Sequence, residues 1–427
     1  MTLRAVKGMN DILPEQIGRW HELEGVLRGR LELGGYREIR TPVLEPVELF
    51  VRSIGEATEI VEKQMFVLER TGESLALRPE GTAGVARAYV EASLHTREPV
   101  SRLYYMGPMF RAERPQRGRY RQFYQAGAEI YGDPGPGCDA EMIDMLVTTL
   151  SDLGVSDLRV LVNSLGSAGT RTRYREALAK HLRPKADKLS EHAKKRLEDN
   201  PLRILDSKNP QDQEAVADAP SILELLDAED RAHWDGLVRG LTALGTPFEI
   251  APGLVRGLDY YTRTLFEVQA TAPGIGTQNA LLGGGRYDGM VKELGGPEIP
   301  AIGFALGLER VLLALPERTI APQARCFIAP LGEPAKVEAL LVARELRAAG
   351  VEAEADTRGG SMKSLFRRAD ATQSRVCLIL GESELERGVV AMKDLALKSQ
   401  ADVPRAELVA RVKQQLATPV TPSGVSS

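Results

Sequence analysis

Cysteine and histidine are scarce in this chain of 427 residues. The three cysteines, Cys138, Cys326 and Cys377, lie far apart, and neither they nor the five histidines show the spacing of a zinc site. This scarcity argues against a disulfide framework and against a metal held by cysteine or histidine side chains.

Long apolar runs and a strong net charge are also missing. No stretch of about eighteen apolar residues occurs, and the first residues contain no apolar signal core, so we expect a cytoplasmic protein that does not bind a membrane. The net charge is −4, so binding to nucleic acid would have to depend on local basic patches. Hydrophobic residues make up 43% of the chain, as in ordinary globular proteins, and the length favours two to three domains.

Motifs of the common nucleotide-binding folds are absent as well. No GxxxxGK[ST] sequence occurs, and the glycine-rich residues 283–289 have the wrong spacing for a dinucleotide-binding fingerprint. A nucleotide site, if the chain has one, must be of another type.

The most informative segment is residues 254–267, Leu-Val-Arg-Gly-Leu-Asp-Tyr-Tyr-Thr-Arg-Thr-Leu-Phe-Glu, together with residues 280–289, Ala-Leu-Leu-Gly-Gly-Gly-Arg-Tyr-Asp-Gly. Arg256 suits a phosphate, the hydroxyls of Tyr260 and Tyr261 suit the polar atoms of a small ligand, and the glycines allow close backbone approach. From these residues alone the segment predicts a site for an anionic ligand.

A long antiparallel hairpin is predicted for residues 101–132, where two strand-like runs flank a basic turn at residues 114–119. Strand periodicity places Met109, Arg111 and Glu113 on one face of the first strand. A surface hairpin whose charges are simply solvated is the alternative to a binding site.

The second strand of this hairpin places Phe123, Gln125, Gly127 and Glu129 on one face. Gln125 and Glu129 would stand roughly 13 Å apart, with no side chain at Gly127 between them. We therefore expect that a small amino acid can lie over Gly127, with its side chain near Glu129.

These segments carry a family resemblance. The two signatures, residues 254–267 and 280–289, closely resemble the histidine signatures of the histidyl-tRNA synthetase family. Phe110-Arg111-Ala112-Glu113 resembles motif 2 of class II aminoacyl-tRNA synthetases, and residues 35–44 resemble motif 1, which forms the dimer interface in that class. Residues 301–313 resemble motif 3, in which an apolar, glycine-rich strand would break at Gly307 and Arg310 would fall in the first turn of the next helix. The resemblance covers residues 1 to about 415.

The resemblance implies an activity. It is the ATP-dependent ligation of L-histidine to histidine tRNA through a histidyl-adenylate, with release of AMP and pyrophosphate, by a homodimer that uses Mg²⁺. A non-catalytic histidine-binding regulatory paralogue is the alternative, but such proteins lack the anticodon domain and have degraded histidine signatures.

The resemblance also implies roles for particular residues. Arg256 and Arg111 would be catalytic. Histidine would be bound by Glu80, Thr82, Gln125, Gly127, Glu129, Tyr260 and Tyr261. ATP would be bound by Arg111, Glu113 and Arg310. Histidine tRNA would contact Gln116, Arg117 and Arg119.

Within the histidine set, Glu80 and Thr82 would bind the α-amino group, and Glu129 and the Tyr261 hydroxyl would bind the two imidazole nitrogens. The chain departs from the family at Tyr124, where histidine is usual. Strand alternation turns Tyr124 away from the Glu129 face, so we expect this change to affect packing rather than chemistry.

The fold class implied is an α+β catalytic domain with an antiparallel sheet of class II type, plus a helical insertion and a C-terminal α/β anticodon-binding domain. The boundaries would be 1–169 with 241–318 for the catalytic core, 170–240 for the insertion, 325–416 for the anticodon domain and 417–427 for a disordered tail.

Local patterns agree with this division. Residues 21–33 have helical spacing of Leu23, Val26, Leu27, Leu31 and Leu33. The C-terminal module alternates strand-like runs at 326–331 and 376–380 with a helix at 334–349, which predicts mainly parallel pairing.

A local basic patch is predicted in the insertion. Residues 171–196 hold ten Lys or Arg against three acidic residues. Such a run is usually a solvated helix face, but the resemblance favours contact with an RNA backbone.

Overall fold

The computed structural model describes residues 3–55, 58–255, 258–271, 279–316 and 325–418. The chain divides into two compact units, Met1–Glu317 and Arg318–Ser427. In the part of the chain that the structure describes, no helix is both long enough and apolar enough to cross a membrane.

The first unit contains strands and helices in alternating groups. The strands are β1 (Arg37–Glu38), β2 (Leu44–Pro46), β3 (Phe66–Arg70), β4 (Glu73–Leu77), β5 (Ser101–Phe110), β6 (Gln122–Tyr131), β7 (Leu158–Ser164), β8 (Glu249–Ile250), β9 (Thr262–Ala270), β10 (Ala280–Arg286) and β11 (Ala301–Gly307). The helices are α1 (Pro14–Leu33), α2 (Val47–Ile54), α3 (Thr82–Glu91), α4 (Pro136–Asp152), α5 (Ala168–Leu182), α6 (Glu191–Asp199), α7 (Pro210–Val216), α8 (Ala228–Leu244), α9 (Met290–Glu293) and α10 (Leu308–Ala314).

The main sheet is almost entirely antiparallel, as expected. Within the described residues its strand order is β1-β5-β6-β11-β10-β9-β7-β8, and only the short outer strands β1 and β8 pair in parallel. β6 lies between its hairpin partner β5 and the distant strand β11. A smaller sheet has the order β2-β4-β3.

The two faces of the main sheet are covered differently. On one face, α1, α4 and α8 pack over β6, β9 and β11 in the largest hydrophobic core. On the other face, α3 and α9 pack beside Tyr105, Tyr131 and Tyr287 in a smaller core. The functional residues lie on this second, less covered face.

Helix α1 is longer than the predicted residues 21–33. It begins at Pro14, because proline lacks the N–H that would be unpaired at a first helical position, and it ends before Gly34 and Gly35. Gly35 has φ +80°, a conformation that favours glycine after a helix. Of the residues with helical spacing, Leu23, Leu27 and Leu31 are buried, while Leu33 is 85% exposed.

The segment predicted as a helical insertion is helical. Helices α5, α6 and α7 with the short 3₁₀ turns between them surround their own small core, which includes Leu178, Leu182, Leu197 and Ile204. Helix α8 instead contributes to the largest core and packs against α4.

The second unit is a separate α/β module. Its strands are β12 (Cys326–Pro330), β13 (Ala353–Ala355), β14 (Val376–Leu380), β15 (Val389–Asp394) and β16 (Ser399–Pro404), and its helices are α11 (Glu333–Ala348), α12 (Met362–Ala371), α13 (Glu382–Glu386) and α14 (Leu408–Ala417).

The pairing in this module corrects one prediction. The order is β13-β12-β14-β15-β16, in which the first three strands are parallel and the last two are antiparallel. The prediction of mainly parallel pairing is wrong because β15 and β16 form a hairpin that the sequence reading missed. Most of the predicted disordered tail, from residue 419 on, lies outside the described residues.

Candidate active site

A cleft lies on the less covered face of the main sheet. Its walls are the β5–β6 hairpin, the first residues of α3, the start of β10, β11, the start of α10, and Tyr260 with Tyr261. Of the residues predicted from the sequence, it brings together Glu80, Thr82, Arg111, Glu113, Arg119, Gln125, Tyr260, Tyr261 and Arg310.

The carboxylate of Glu129 is completely buried behind one end of the cleft, and neither Glu129 nor Gly127 lines the cleft itself. The Thr82 hydroxyl donates to one oxygen at 2.8 Å, and the Tyr287 hydroxyl donates to the other. Burial raises the pKa of Glu129 well above its usual range, while the two hydrogen bonds act in the opposite direction. A ligand that donates a hydrogen bond or carries positive charge here would stabilise the ionised form.

Glu80 is the second buried carboxylate at this end. Its two oxygens accept the backbone N–H groups of Thr82 at 2.7 Å and Ala83 at 2.9 Å, at the first turn of α3. Burial raises the pKa of Glu80, and these backbone hydrogen bonds and Arg111 oppose the rise. Glu80 thus holds Thr82 in the position from which its hydroxyl reaches Glu129.

The ring of Tyr105 lies over Gly127. A Cβ at Gly127 would be 2.3 Å from the Tyr105 hydroxyl oxygen, and a Cβ at Gly81 would be 2.2 Å from the same ring. The prediction that a ligand lies directly over Gly127 is therefore wrong. The two glycines make room for the tyrosine, and a ligand would have to lie beyond its ring.

Gly303 has a comparable part in placing Glu129. The two residues are paired across β6 and β11, and a Cβ at Gly303 would be only 1.5 Å from a Glu129 carboxylate oxygen. The carboxylate can lie across β11 only because residue 303 has no side chain.

Three tyrosines form an aromatic wall next to Glu129. The ring centres of Tyr260 and Tyr261 are 4.6 Å apart, and Tyr260 meets Tyr287 edge-on at 5.5 Å. Burial raises the pKa of Tyr260 and Tyr287 well above the usual range, so both hydroxyls stay protonated as donors.

The missing side chains of two glycines in β10 leave space that other protein side chains fill. A Cβ at Gly284 would be 2.5 Å from the Phe266 ring, and a Cβ at Gly285 would be 2.9 Å from the Tyr261 ring. The expectation that this glycine run serves close approach to a ligand is therefore wrong at these two positions. Gly283 does line the cleft.

Toward the turn of the β5–β6 hairpin, the cleft becomes cationic. Arg111 donates through Nε to the Pro79 carbonyl at 2.9 Å, and its guanidinium lies 5.3 Å from the centre of the Phe123 ring. Glu113 contacts Arg119 at 3.4 Å. The predicted antiparallel hairpin is confirmed, and Arg111 and Glu113, just beyond its first strand, both line the cleft.

The hairpin turn carries the residues assigned to tRNA. Gln116 and Arg119 exchange backbone hydrogen bonds of 3.0 and 2.9 Å, and Gly118 between them has φ +73°. Gln116 and Arg117 are exposed, while Arg119 is half-buried against the cleft.

The joint between β11 and α10 confirms the predicted break at Gly307. Arg310 lies in the first turn of α10 and donates to the carbonyl groups of Gly118 at 3.1 Å and Ala280 at 2.8 Å. These contacts hold its guanidinium between the hairpin turn and β10, on the wall of the cleft.

Glu309 ties α10 to the hairpin. Its carboxylate oxygens accept the Tyr124 N–H at 2.9 and 3.0 Å. The Tyr124 side chain points the other way, into the largest core, where its ring meets Trp20 edge-on at 5.2 Å. The expectation that Tyr124 affects packing, because it faces away from Glu129, is confirmed for the direction of its side chain.

Glu309→Gln is expected to change how stability depends on pH. Burial raises the pKa of Glu309 to about 7 from an ordinary 4.5. The folded state therefore binds this proton more tightly than the unfolded state does. The protonated Glu309 contributes its full stabilising effect below pH 4.5, and this contribution is lost as the pH rises from 4.5 to about 7. Glutamine keeps an acceptor for Tyr124 and cannot ionise, so the variant should gain in relative stability across that window.

Denaturant unfolding at several pH values checks this expectation, with Glu298→Gln as the matched control because that side chain is 78% exposed. A difference in unfolding free energy between Glu309→Gln and the unmodified chain that does not vary with pH would contradict it.

A buried ionic network lies beneath the cleft. Arg286 is completely buried and binds Asp139 through Nε at 3.0 Å, while His233 contacts the same carboxylate at 2.9 Å and Thr264 at 3.2 Å. These bonds lower the pKa of Asp139 although burial alone would raise it. Arg286 therefore anchors β10 to α4, and His233 of α8 contacts the same Asp139 carboxylate.

Sequence reasoning missed Tyr287 and Gly303. Tyr287 belongs to the second signature, so its position beside Arg286 was a signal that could have found it. Gly303 carried no comparable signal, because its role depends on pairing with β6. Arg256, which was assigned a catalytic role, lies outside the described residues.

Comparisons with known proteins bear on this cleft. A family model described as Histidyl-tRNA synthetase matches residues 8–311, and one described as Anticodon binding domain matches residues 325–415. A histidine–tRNA ligase of Sorangium cellulosum is 58% identical over 424 residues, which are 99% of each chain. One of Geobacter metallireducens is 46% identical over 402 residues, 94% of this chain and 97% of that one. A solved apo histidyl-tRNA synthetase of S. aureus has a TM-score of 0.81 and 34% identity, and the match covers 96% of this chain and all of that one.

The antiparallel sheet, the arginine-bearing hairpin and the strand-to-helix joint with Arg310 have the fold of a class II aminoacyl-tRNA synthetase. Both family models and the relatives agree on a narrower assignment. The chain belongs to the histidyl-tRNA synthetase family, and its enzyme class is histidine–tRNA ligase.

Proposed function

We propose that the cleft joins ATP and L-histidine into histidyl-adenylate and then passes the histidyl group to the 3′-terminal ribose of histidine tRNA, releasing AMP. In the first step the histidine carboxylate attacks the α-phosphate in line, and pyrophosphate leaves. The observation that carries the proposal is that one cleft is lined at one end by Thr82 and Tyr287, whose hydroxyls both bond the buried Glu129 carboxylate, and at the other end by the guanidinium of Arg111.

Histidine would lie with its imidazole toward Glu129. Its ring nitrogens would pair with Glu129 and the Tyr261 hydroxyl, and the Tyr287 hydroxyl would keep Glu129 oriented. The α-amino group would meet Glu80 and Thr82. Gln125 lines the cleft between the two ends, and Gly127 contributes by admitting the Tyr105 ring beneath the ligand.

ATP would occupy the cationic end. Arg111 and Arg256 would bind the α-phosphate, since a guanidinium can bind phosphate through two donors, and Arg310 would bind the triphosphate tail. Glu113 would accept a hydrogen bond from the adenine amino group. Reactions of this kind depend on positioning and charge stabilisation, so arginines rather than acid–base pairs dominate.

Mg²⁺ would arrive with the phosphates of ATP. Among the described residues no group of three or more His, Cys, Asp or Glu side chains could hold a metal ion. The cleft offers the carboxylate of Glu309 next to Arg310, and Mg²⁺ needs only one or two carboxylates when phosphates and water complete its coordination. The ion would neutralise charge on the leaving pyrophosphate.

The tRNA would contact three regions. Gln116, Arg117 and Arg119 at the hairpin turn would meet the acceptor end, and the basic residues 171–196 would follow its backbone. The second unit, which matches an anticodon-binding model, would bind the anticodon. A homodimer is proposed through residues 35–44 and the adjoining small sheet, where Val43, Leu44, Val67 and Leu68 are between 37% and 49% exposed. Cytoplasmic localisation stays a prediction.

Histidine-dependent exchange between pyrophosphate and ATP tests the proposal directly. The full chain should incorporate labelled pyrophosphate into ATP only when histidine is present, and no tRNA is needed. The alternative, a non-catalytic regulatory paralogue, would bind histidine without exchange. Histidine binding without exchange would therefore overturn the proposed reaction.

A chain that ends before Ala321 should keep at least part of the exchange activity but lose most aminoacylation of tRNA. The reason is that the first unit has its own core and contains every described residue of the cleft, while the second unit has separate cores. Exchange and aminoacylation are measured on the same dimeric preparation. If the truncated dimer charged tRNA as well as the full chain, the anticodon role would be wrong.

A further inference from the structure

The aromatic wall of the cleft is held from behind by the helical insertion. Arg171 of α5 donates through one nitrogen to the carbonyl of Tyr261 at 2.8 Å and to that of Asp259 at 3.3 Å. Arg203, in the 3₁₀ turn Pro201–Ile204, pairs with the Asp259 carboxylate at 2.6 Å. These two arginines come from outside the catalytic sheet, yet they hold the segment that carries Tyr260 and Tyr261.

The setting makes these contacts strong. Arg171 and Arg203 line a polar cavity of about 370 Å³ together with Asp259, separate from the Glu129 end of the cleft. The Arg203 side chain is only 17% exposed, and burial lowers the pKa of Arg171, so both guanidinium groups are partly removed from water. Hydrogen bonds from a charged donor in such surroundings are roughly twice as strong as neutral ones.

Packing also holds this segment, since Tyr261 belongs to a small core with Leu165, Tyr174 and Leu265 and β9 begins directly after it at Thr262. On the catalytic side, the Asp259 N–H donates to the Ile54 carbonyl at 3.2 Å, a comparatively long bond. The tyrosine rings touch each other and Tyr287, but ring contacts allow sliding more readily than directed hydrogen bonds do. The two arginines add directed, charge-assisted hydrogen bonds to this packing, so the exact position of the Tyr260 and Tyr261 rings depends in part on them.

We propose that Arg171 and Arg203 are positioning residues that set the affinity of the enzyme for histidine without touching it. By placing Tyr261 opposite Glu129, the insertion completes the imidazole pocket. The insertion therefore affects histidine binding in the first reaction step, adenylate formation, before any tRNA binds. This inference rests on the proposed function, because it takes the Glu129 end as the histidine site.

The test is exchange kinetics without tRNA on Arg171→Ala, Arg171→Lys and Arg203→Ala in the full chain. Losing one or two charge-assisted hydrogen bonds should raise the KM for histidine about 10- to 100-fold. The KM for ATP should change less than about threefold, because the side chains of Arg111, Glu113 and Arg310 are held by contacts to Pro79, Arg119 and Gly118. Lysine should restore part of the affinity, since its ammonium is a point charge that can reach one carbonyl.

Arg159→Ala is the matched control. Arg159 on β7 is also a paired arginine, with a side chain that is 53% exposed and contacts Glu249 at 2.6 Å, and it is outside the residues assigned to the cleft or to tRNA, so the kinetics of exchange should not change. If Arg171→Ala fails to fold, Arg171→Lys and Arg203→Ala still decide the question.

Two outcomes would overturn the inference. The first is a variant with lower kcat and unchanged histidine KM. That result would show only a loss of folded enzyme, as expected if the two arginines stabilise the fold and do not position the tyrosines. A parallel rise in the KM for ATP would show a general disturbance of the cleft. If the wild-type chain shows no histidine-dependent exchange, the proposed function fails first; if it does and the arginine variants keep the wild-type KM, only this inference fails.

Discussion

Glu129→Gln should lower kcat/KM for histidine in the exchange reaction by at least about 100-fold, while ATP still binds. The carboxylate is completely buried and already accepts hydrogen bonds from Thr82 and Tyr287. An amide in its place removes the negative charge that would face the imidazole. The amide nitrogen would also face either the Thr82 or the Tyr287 hydroxyl, each of which now donates to a carboxylate oxygen.

The contrast with two other variants sharpens this result. Tyr287→Phe removes one of the two hydrogen bonds and should cost only about tenfold, because the charge remains. Glu113→Gln, at the other end of the cleft, should weaken the binding of ATP rather than that of histidine. The measurements are exchange kinetics with histidine and equilibrium binding of ATP to each variant. An unchanged kcat/KM for histidine in Glu129→Gln would remove this residue from the pocket.

Arg111→Ala should nearly abolish adenylate formation and leave histidine binding measurable. A cation that serves charge developing in the transition state acts on kcat more than on ground-state binding, and loss of such a donor typically costs about 10²–10³-fold. Arg111→Lys should recover only part of the rate, because lysine keeps the charge but cannot bind two oxygens in a planar fork or stack on Phe123 as the guanidinium does.

Arg256→Ala should have an effect of the same size, on the sequence argument that it also faces the α-phosphate. Single-turnover formation of adenylate, with histidine binding measured in parallel, separates the chemical step from affinity. Exchange near the wild-type rate in either alanine variant would contradict the assignment of that arginine.

The sequence predicted the features that depend on local order. The β5–β6 hairpin followed from two strand-like runs around a basic turn, and the break at Gly307 followed from an apolar run that stops at glycine. The direction of Tyr124 followed from strand alternation alone. Each of these conclusions needed only neighbours in sequence.

The features that the sequence could not give depend on register between distant strands. The sequence alone suggests open space over Gly127, and only the pairing with Tyr105 shows that a ring occupies that space. Likewise, the role of Gly303 becomes clear only from its pairing with Glu129. The β15–β16 hairpin was missed because its second strand is mostly exposed and lacks a strong apolar pattern. Leu33 fits the helical spacing of α1 but falls at the end of the helix, where no core reaches it.

The place of β11 in the main sheet has a consequence for synthesis on the ribosome. β6 ends at Tyr131, and its second neighbour β11 begins only at Ala301, about 170 residues later. At roughly 5–20 residues per second, translation leaves the inner edge of β6 without its partner for roughly 10–30 s. During that interval the nascent chain exposes a long apolar strand edge, the kind of surface that invites pairing with other chains. Until β11 is made, pairing of this edge with another chain would compete with correct folding.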